Sequence, residues 1–65
     1  MNWNQIQGNW KQLKGKVKAQ WGDLTDDEID SIDGRREQLV GKIQKAYGID
    51  QEEAEEQVRA FERSL

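Results

Sequence analysis

The sequence has no histidine and no cysteine, so its reactive groups reduce to carboxylates, lysines, arginines and the hydroxyls of Tyr47, Thr25, Ser31 and Ser64. Histidine and cysteine supply the commonest general base, transition-metal ligand and strong nucleophile, and without them most hydrolytic, redox and zinc chemistry lacks its parts. One acidic run remains conspicuous: Asp23, Asp26, Asp27, Glu28, Asp30 and Asp33. Paired carboxylates can act as acid and base, but only beside a pocket. They can also hold calcium, yet with Gly34 as the sixth position of an EF-hand loop, Ile29 falls at the first position and Val40 at the twelfth, where carboxylates are required. Thr25, Ser31 and Ser64 have no histidine to activate them. The expectation is a protein that is not an enzyme, with no cofactor and no metal.

Two further groupings could bind rather than react. Lys11, Lys14, Lys16 and Lys18 flank a helical stripe that carries Trp3, Trp10 and Trp21. Lysines interleaved with aromatic rings suit a nucleic acid or an anionic membrane surface. The competing reading makes the tryptophans the core, because the other large apolar side chains could scarcely support a domain of this size, and that reading is preferred. The second grouping is Tyr47-Gly48-Ile49-Asp50-Gln51-Glu52-Glu53-Ala54, which follows the hydrophobic-Gly-hydrophobic-Gly-x-x-x-Ala turn of helix-hairpin-helix DNA binders except that Asp50 replaces the second glycine. A carboxylate there fills the anion site itself, and Glu52 and Glu53 repel phosphate, so specific DNA binding is disfavoured.

The elements that position these groups are helices. Trp3, Ile6, Trp10, Leu13, Val17 and Trp21 recur at three- and four-residue spacing, with Gly22 as the stop. Leu24 and Ile29 then bracket a capping box, Thr25-Asp26-Asp27-Glu28, in which Thr25 accepts from the amide of Glu28 and Glu28 from the amide of Thr25. The same grammar returns with Leu39, Val40, Ile43, Ala46 and Tyr47, the stop Gly48, and the cap Asp50-Gln51-Glu52-Glu53; Ala54, Val58, Phe61 and Leu65 line the last helix. The predicted helices span 3–21, 26–32, 35–47 and 51–64. The core candidates are Trp3, Trp10, Leu13, Val17, Trp21, Leu39, Ile43, Tyr47, Val58 and Phe61. Gly8, Gly15 and Gly41 sit off the apolar stripes, where each costs about 1 kcal/mol against alanine. They mark slack, a close backbone crossing, helices meant to loosen, or a place where a partner approaches.

A shift of 26 positions places Ile6 on Ile32, Gly8 on Gly34, Gln12-Leu13 on Gln38-Leu39, Gly15-Lys16-Val17 on Gly41-Lys42-Ile43 and Trp21-Gly22 on Tyr47-Gly48. After a one-residue slip, Thr25 to Glu28 meet Asp50 to Glu53. The chain therefore reads as one domain, 1–65, built from pseudo-repeats at about 3–32 and 33–65. Charge follows the same blocks: residues 1–22 carry +4, 23–33 carry −6, 34–48 carry +3 and 49–65 carry −4, leaving −3. Acids crowd the starts of the second and fourth helices, where the macrodipole favours them.

These segments resemble a known family. Gly8-Asn9-Trp10-Lys11-Gln12-Leu13-Lys14-Gly15-Lys16-Val17-Lys18-Ala19-Gln20-Trp21-Gly22, the Leu24-Thr25-Asp26-Asp27 turn, and Gln38-Leu39-Val40-Gly41-Lys42-Ile43-Gln44 with Tyr47-Gly48 look like the CsbD-like family of small bacterial proteins. That resemblance implies a protein made during general or envelope stress and stationary phase, folded as two packed helical hairpins, and it brings no catalytic residues and no ligand. The expected fold is all-α, a four-helix bundle of two hairpins with a SAM-like or helix-hairpin-helix-like architecture.

At 65 residues, 35% charged and with a mean hydropathy of −1.11, the composition is also hydrophilin-like and favours solubility. No apolar run is long enough to cross a membrane and no secretory leader is evident, so the expected location is the cytoplasm. The expected function is a non-catalytic, stress-associated protective or interaction role, with client proteins or a second copy as partners. The alternative is nucleic-acid or anionic-surface binding through the basic face of the first helix.

Overall fold

In the computed structural model, which describes all 65 residues, five helices follow one another without a strand: α1 (Trp3–Gly8), α2 (Trp10–Gln20), α3 (Asp26–Ile32), α4 (Arg36–Tyr47) and α5 (Gln51–Ser64). The expected all-helical class holds, with five helices in place of four. What the spacing joins as a single helix over 3–21 is broken at Asn9, whose backbone (φ −113°, ψ 22°) leaves helical geometry and whose N–H is shared between the carbonyls of Gln5 and Ile6 at 3.0 and 3.1 Å. Gly8 is the weakest helical residue of that stretch, and tertiary bonds pull on either side of it. Trp3 Nε1 donates to the Gly34 carbonyl at 2.7 Å, and Trp10 Nε1 to the Ile29 carbonyl at 3.0 Å.

α4 and α5 form an antiparallel hairpin with the most extensive helix–helix interface, while α3 packs against both α2 and α4. The core gathers Ile6, Trp10, Leu13, Val17, Trp21, Leu24, Ile29, Ile32, Leu39, Val40, Ile43, Ala54, Val58 and Phe61. Trp21 and Phe61 meet with ring centroids 5.1 Å apart at a tilt of 55°, joining the end of α2 to α5. Two of the expected core residues lie outside it. Trp3 is half-buried at the edge, because α1 is a short helix at the margin of the bundle. Tyr47 keeps 39% of its surface exposed, although the repeat sets it on the buried Trp21. Its phenol turns instead to the α2–α3 turn, where it accepts the Asp23 N–H at 3.2 Å.

The helix ends show which signals were sufficient. Thr25 and Glu28 close the reciprocal box, with N–O distances of 3.1 and 2.9 Å. Asn2 and Gln5 build a second such box at the start of α1. At α5 only half of the box forms: Asp50 Oδ1 accepts the Glu53 N–H at 2.8 Å, and the Glu53 side chain stays in solvent without returning the bond. Gly48 ends α4 in the left-handed conformation, φ 64°. Gly22 does not act in this way. α2 has already ended at Gln20, and Trp21 (φ −127°, ψ 75°) leaves the helix in order to bury its ring.

Gly34 is the one glycine that packing requires. It is buried at φ 76°, and a Cβ there would stand 2.8 Å from the Cα of Gln7 in α1. Gly8, Gly15 and Gly41 face open space, with no atom within 4 Å of where a Cβ would be, so none of them marks a close backbone crossing.

Candidate interaction surface

The three tryptophans act as clasps between elements. α3 spans only seven residues, so the carbonyl of Ile29 belongs to its unpaired last turn, and the Trp10 indole supplies the missing donor from α2. Trp3 does the same for the turn that follows α3, and Trp21 Nε1 donates to Gln57 Oε1 of α5 at 2.9 Å. Trp10 and Trp21 are 5% and 2% exposed. Neither presents a ring face on which a base could stack, so the aromatic half of the basic-aromatic motif belongs to the fold.

The lysines are divided in turn. Lys14 Nζ pairs with Asp30 Oδ1 of α3 at 2.6 Å, and Lys18 Nζ donates to the Leu24 carbonyl at 2.5 Å, closing the turn between α2 and α3. Lys11 and Lys16 have no carboxylate within reach. Five residues apart, they point about 140° from each other around the helix. Lys16 therefore stands apart, while Lys11, Lys14 and Lys18 lie within about 60° of one another on a face where Lys14 and Lys18 are already engaged.

Of four shallow surface grooves, two lie between packed helices. One, about 380 Å³, runs between α2 and α3 and is lined by Lys14, Gly15, Lys18, Asp26, Ile29 and Asp30. The other, about 390 Å³, lies between α4 and α5, with Val40, Gly41, Gln44, Gln51 and Glu55 in its lining together with Arg36 and Glu37. Each is floored by a glycine that lacks an intramolecular neighbour, and each is spanned by an ion pair, Lys14–Asp30 at 2.6 Å and Arg36–Glu55 at 3.8 Å. The hydroxyls are spent locally: Thr25 Oγ1 accepts the Glu28 N–H, while Ser31 and Ser64 donate to the carbonyls of Glu28 and Phe61.

Two surface glutamates are held in their charged form by their neighbours. The Thr25 amide holds the Glu28 carboxyl below its usual 4.5, reinforced by the Thr25 hydroxyl and by Lys42 and Lys45 at longer range. The Arg59 guanidinium, bonded to Glu56 at 2.8 Å, lowers the Glu56 carboxyl, with Arg63 adding to it, and Arg59 is raised in return. The acidic run of 23–33 gathers no group of carboxylates arranged for a metal ion. Its members cap α3 or face solvent, apart from Asp30, which pairs with Lys14.

Sequence reasoning marked Asp33-Gly34 only as the end of α3, without the approach of Gln7 that requires Gly34, and it gave Gln57 and the Tyr47 hydroxyl no role. For Gly34 a signal existed, since Asp33-Gly34 is a pair suited to left-handed backbone; for Gln57 and Tyr47 none did, because their partners lie 36 and 24 residues away.

The CsbD-like family profile matches residues 4–56. A UPF0337 protein of Nitrosomonas europaea is 66% identical over 61 residues, covering 94% of this chain; the chain spans 65% of that relative's length. A UPF0337 protein of Pseudomonas aeruginosa is 54% identical over 65 residues, the whole of both chains. The UPF0337 protein YjbJ of Escherichia coli K12 is 56% identical over 62 residues, 95% of this chain and 90% of its own. A profile that spans most of the chain, together with relatives more than half identical along nearly all of it, shows that this chain belongs to the CsbD-like family.

Proposed function

We propose that the chain is a non-catalytic, stress-associated protein of the cytoplasm that protects or spaces other macromolecules through its charged, hydrated surface. The observation that carries this is the distribution of apolar groups: Met1 and Tyr47 are the exposed large hydrophobic residues, at 42% and 39%, and Trp3, Ile49 and Leu65 are partly buried against the core. A folded domain with so little exposed apolar surface cannot hold unfolded clients as an apolar cradle does. It can crowd between them as a solvated, like-charged body of net charge −3. Family membership supports the stress setting, and two shallow grooves, each spanned by an ion pair, support weak, general contact rather than turnover of a small substrate.

The chain is also best understood as one domain of two pseudo-repeats. Under the 26-residue shift and its later slip, Lys14, Gly15, Lys18, Asp26 and Asp30 of the first groove correspond to Val40, Gly41, Gln44, Gln51 and Glu55 of the second. The break at Asn9 supports it as well, since Asn9 begins α2 where Arg35 begins α4.

The test is recovery of a freeze-labile enzyme after repeated freezing, with and without the folded chain at equal mass. Recovery that rises with the chain's concentration, above that given by an equal mass of free amino acids, is expected. Recovery no better than that control overturns the reading. The alternative, an anionic-surface binder, predicts salt-sensitive retention of the chain on DNA or anionic vesicles, lost in Lys11→Glu with Lys16→Glu.

A further inference from the structure

The outward side of α5, the longest helix, has no packing role in the fold. At 100° per residue, Glu52, Glu56, Arg59 and Arg63 fall close to one line, opposite the buried Ala54, Val58 and Phe61. They are spaced four, three and four residues apart, the spacing of a coiled-coil seam, occupied by charge in place of leucine. All four are exposed; the side chains of Glu56, Arg59 and Arg63 keep 59%, 46% and 67% of their surface. Along the chain the signs run acid, acid, base, base.

We propose that this face pairs with the same face of a second copy of the chain, antiparallel, in a salt-sensitive dimer. A single antiparallel register sets Glu52 against Arg63 of the partner subunit and Glu56 against Arg59 of the partner subunit, and a two-fold axis repeats both pairs. The parallel arrangement sets like charges together and is disfavoured. Macrodipole matching explains why acids come first and bases last on a helix. It does not require the four charges to share one line at seam spacing. Nor does it explain how they are paired within one chain: Glu56 takes both guanidiniums, Arg59 at 2.8 Å and Arg63 at 3.6 Å, while Glu52 has no cation within 4.0 Å. In the dimer Arg63 turns to the carboxylate that lacks a partner. Both cations on this face are arginine, whereas residues 1–22 use only lysine, and the planar guanidinium fork can serve two carboxylates at once. Ala60, exposed beside Arg59, adds no bulk to hold a second helix away. With no larger apolar group on the seam, association is driven by charge, weak, and screened by salt.

The experiment is analytical ultracentrifugation of the full chain near roughly millimolar concentration, where contacts worth about 4 kcal/mol become populated. Low salt near roughly 10 mM is compared with roughly 500 mM, a range over which the Debye length falls from about 30 Å to a few ångströms. The wild-type mass is expected to rise toward a dimer in low salt and to return to the monomer in high salt. Two variants of unchanged net charge separate the mirror pairing from general stickiness. Glu52→Arg with Arg63→Glu keeps opposite charges facing across the two-fold and should associate like the wild type. Glu52→Arg with Arg59→Glu sets arginine against arginine and glutamate against glutamate, and should stay monomeric. Far-ultraviolet circular dichroism confirms that both are folded. A wild-type chain that remains monomeric in low salt, or two folded variants that behave alike, overturns the proposal. The result is independent of whether the chain protects an enzyme.

Discussion

Replacing Gly15 and Gly41 by alanine should stabilise the domain, and the size of the effect follows from what surrounds each site. Both residues lie inside helices, Gly15 in α2 and Gly41 in α4, and a Cβ at either meets no atom within 4 Å. The added methyl therefore neither clashes nor gains a contact, and what remains is the backbone entropy removed from the unfolded chain, about 0.4–1 kcal/mol per site. The sites share no neighbour, so their effects should add to roughly 0.8–2 kcal/mol. For a domain of this size 1 kcal/mol moves the melting midpoint by about 4–8 °C, which gives a rise of roughly 3–16 °C for the double variant. Thermal melting followed at 222 nm, supported by urea titration, measures it. Gly34→Ala is the matched control: at φ 76°, with its Cβ 2.8 Å from the Gln7 Cα, it should destabilise instead. A double variant that melts at or below the wild-type temperature refutes the reasoning, because it means that a neighbour closes over one of the two sites.

Trp10→Ala should cost about 3–5 kcal/mol, enough to unfold much of the population, because it empties a core position and leaves the Ile29 carbonyl without its donor; an unchanged melting curve would return Trp10 to the surface. Gly48→Ala should cost about 1 kcal/mol through its positive φ, whereas Gly22→Ala should be close to neutral, and equal losses at both would contradict the observed helix ends. Because the folded Glu28 and Glu56 carboxyls are held below the usual 4.5, their contribution is fully present above that pH and is lost as pH falls through their lowered folded values. Glu28→Gln with Glu56→Gln should therefore flatten the fall in melting temperature between about pH 5 and pH 2. An acid-side slope as steep as the wild type's would sink that assignment.

Most of the fold was legible in the sequence because its grammar is local. The capping box of Thr25 and Glu28, the left-handed stop at Gly48 and the buried i, i+3, i+4 stripes each depend on residues within one or two turns of each other, and each stands where spacing put it. What periodicity could not convey was tertiary. The apolar rhythm of Trp3, Ile6, Trp10 and Leu13 runs unbroken through Asn9, but Trp3 and Trp10 must reach two different acceptors around the end of α3, and the helix yields at Gly8 and Asn9 between them. Gly22 looked like a stop because it follows an apolar stripe; the stripe's last member, Trp21, ends the helix by leaving it. The candidate surface was legible only as composition. That Lys14 and Lys18 are engaged by Asp30 and Leu24, leaving Lys11 and Lys16 apart, depends on where α3 docks.

On the function proposed above, protection comes from the folded, charged exterior and not from an opened chain. This is tested most directly by the Gly15→Ala, Gly41→Ala double variant in the enzyme-freezing assay, since these substitutions raise stability while leaving every charge in place. Enzyme recovery equal to the wild type's at each concentration is expected if the folded exterior protects. Recovery that falls as stability rises would contradict it, and would make the loosening of α2 and α4 the active step.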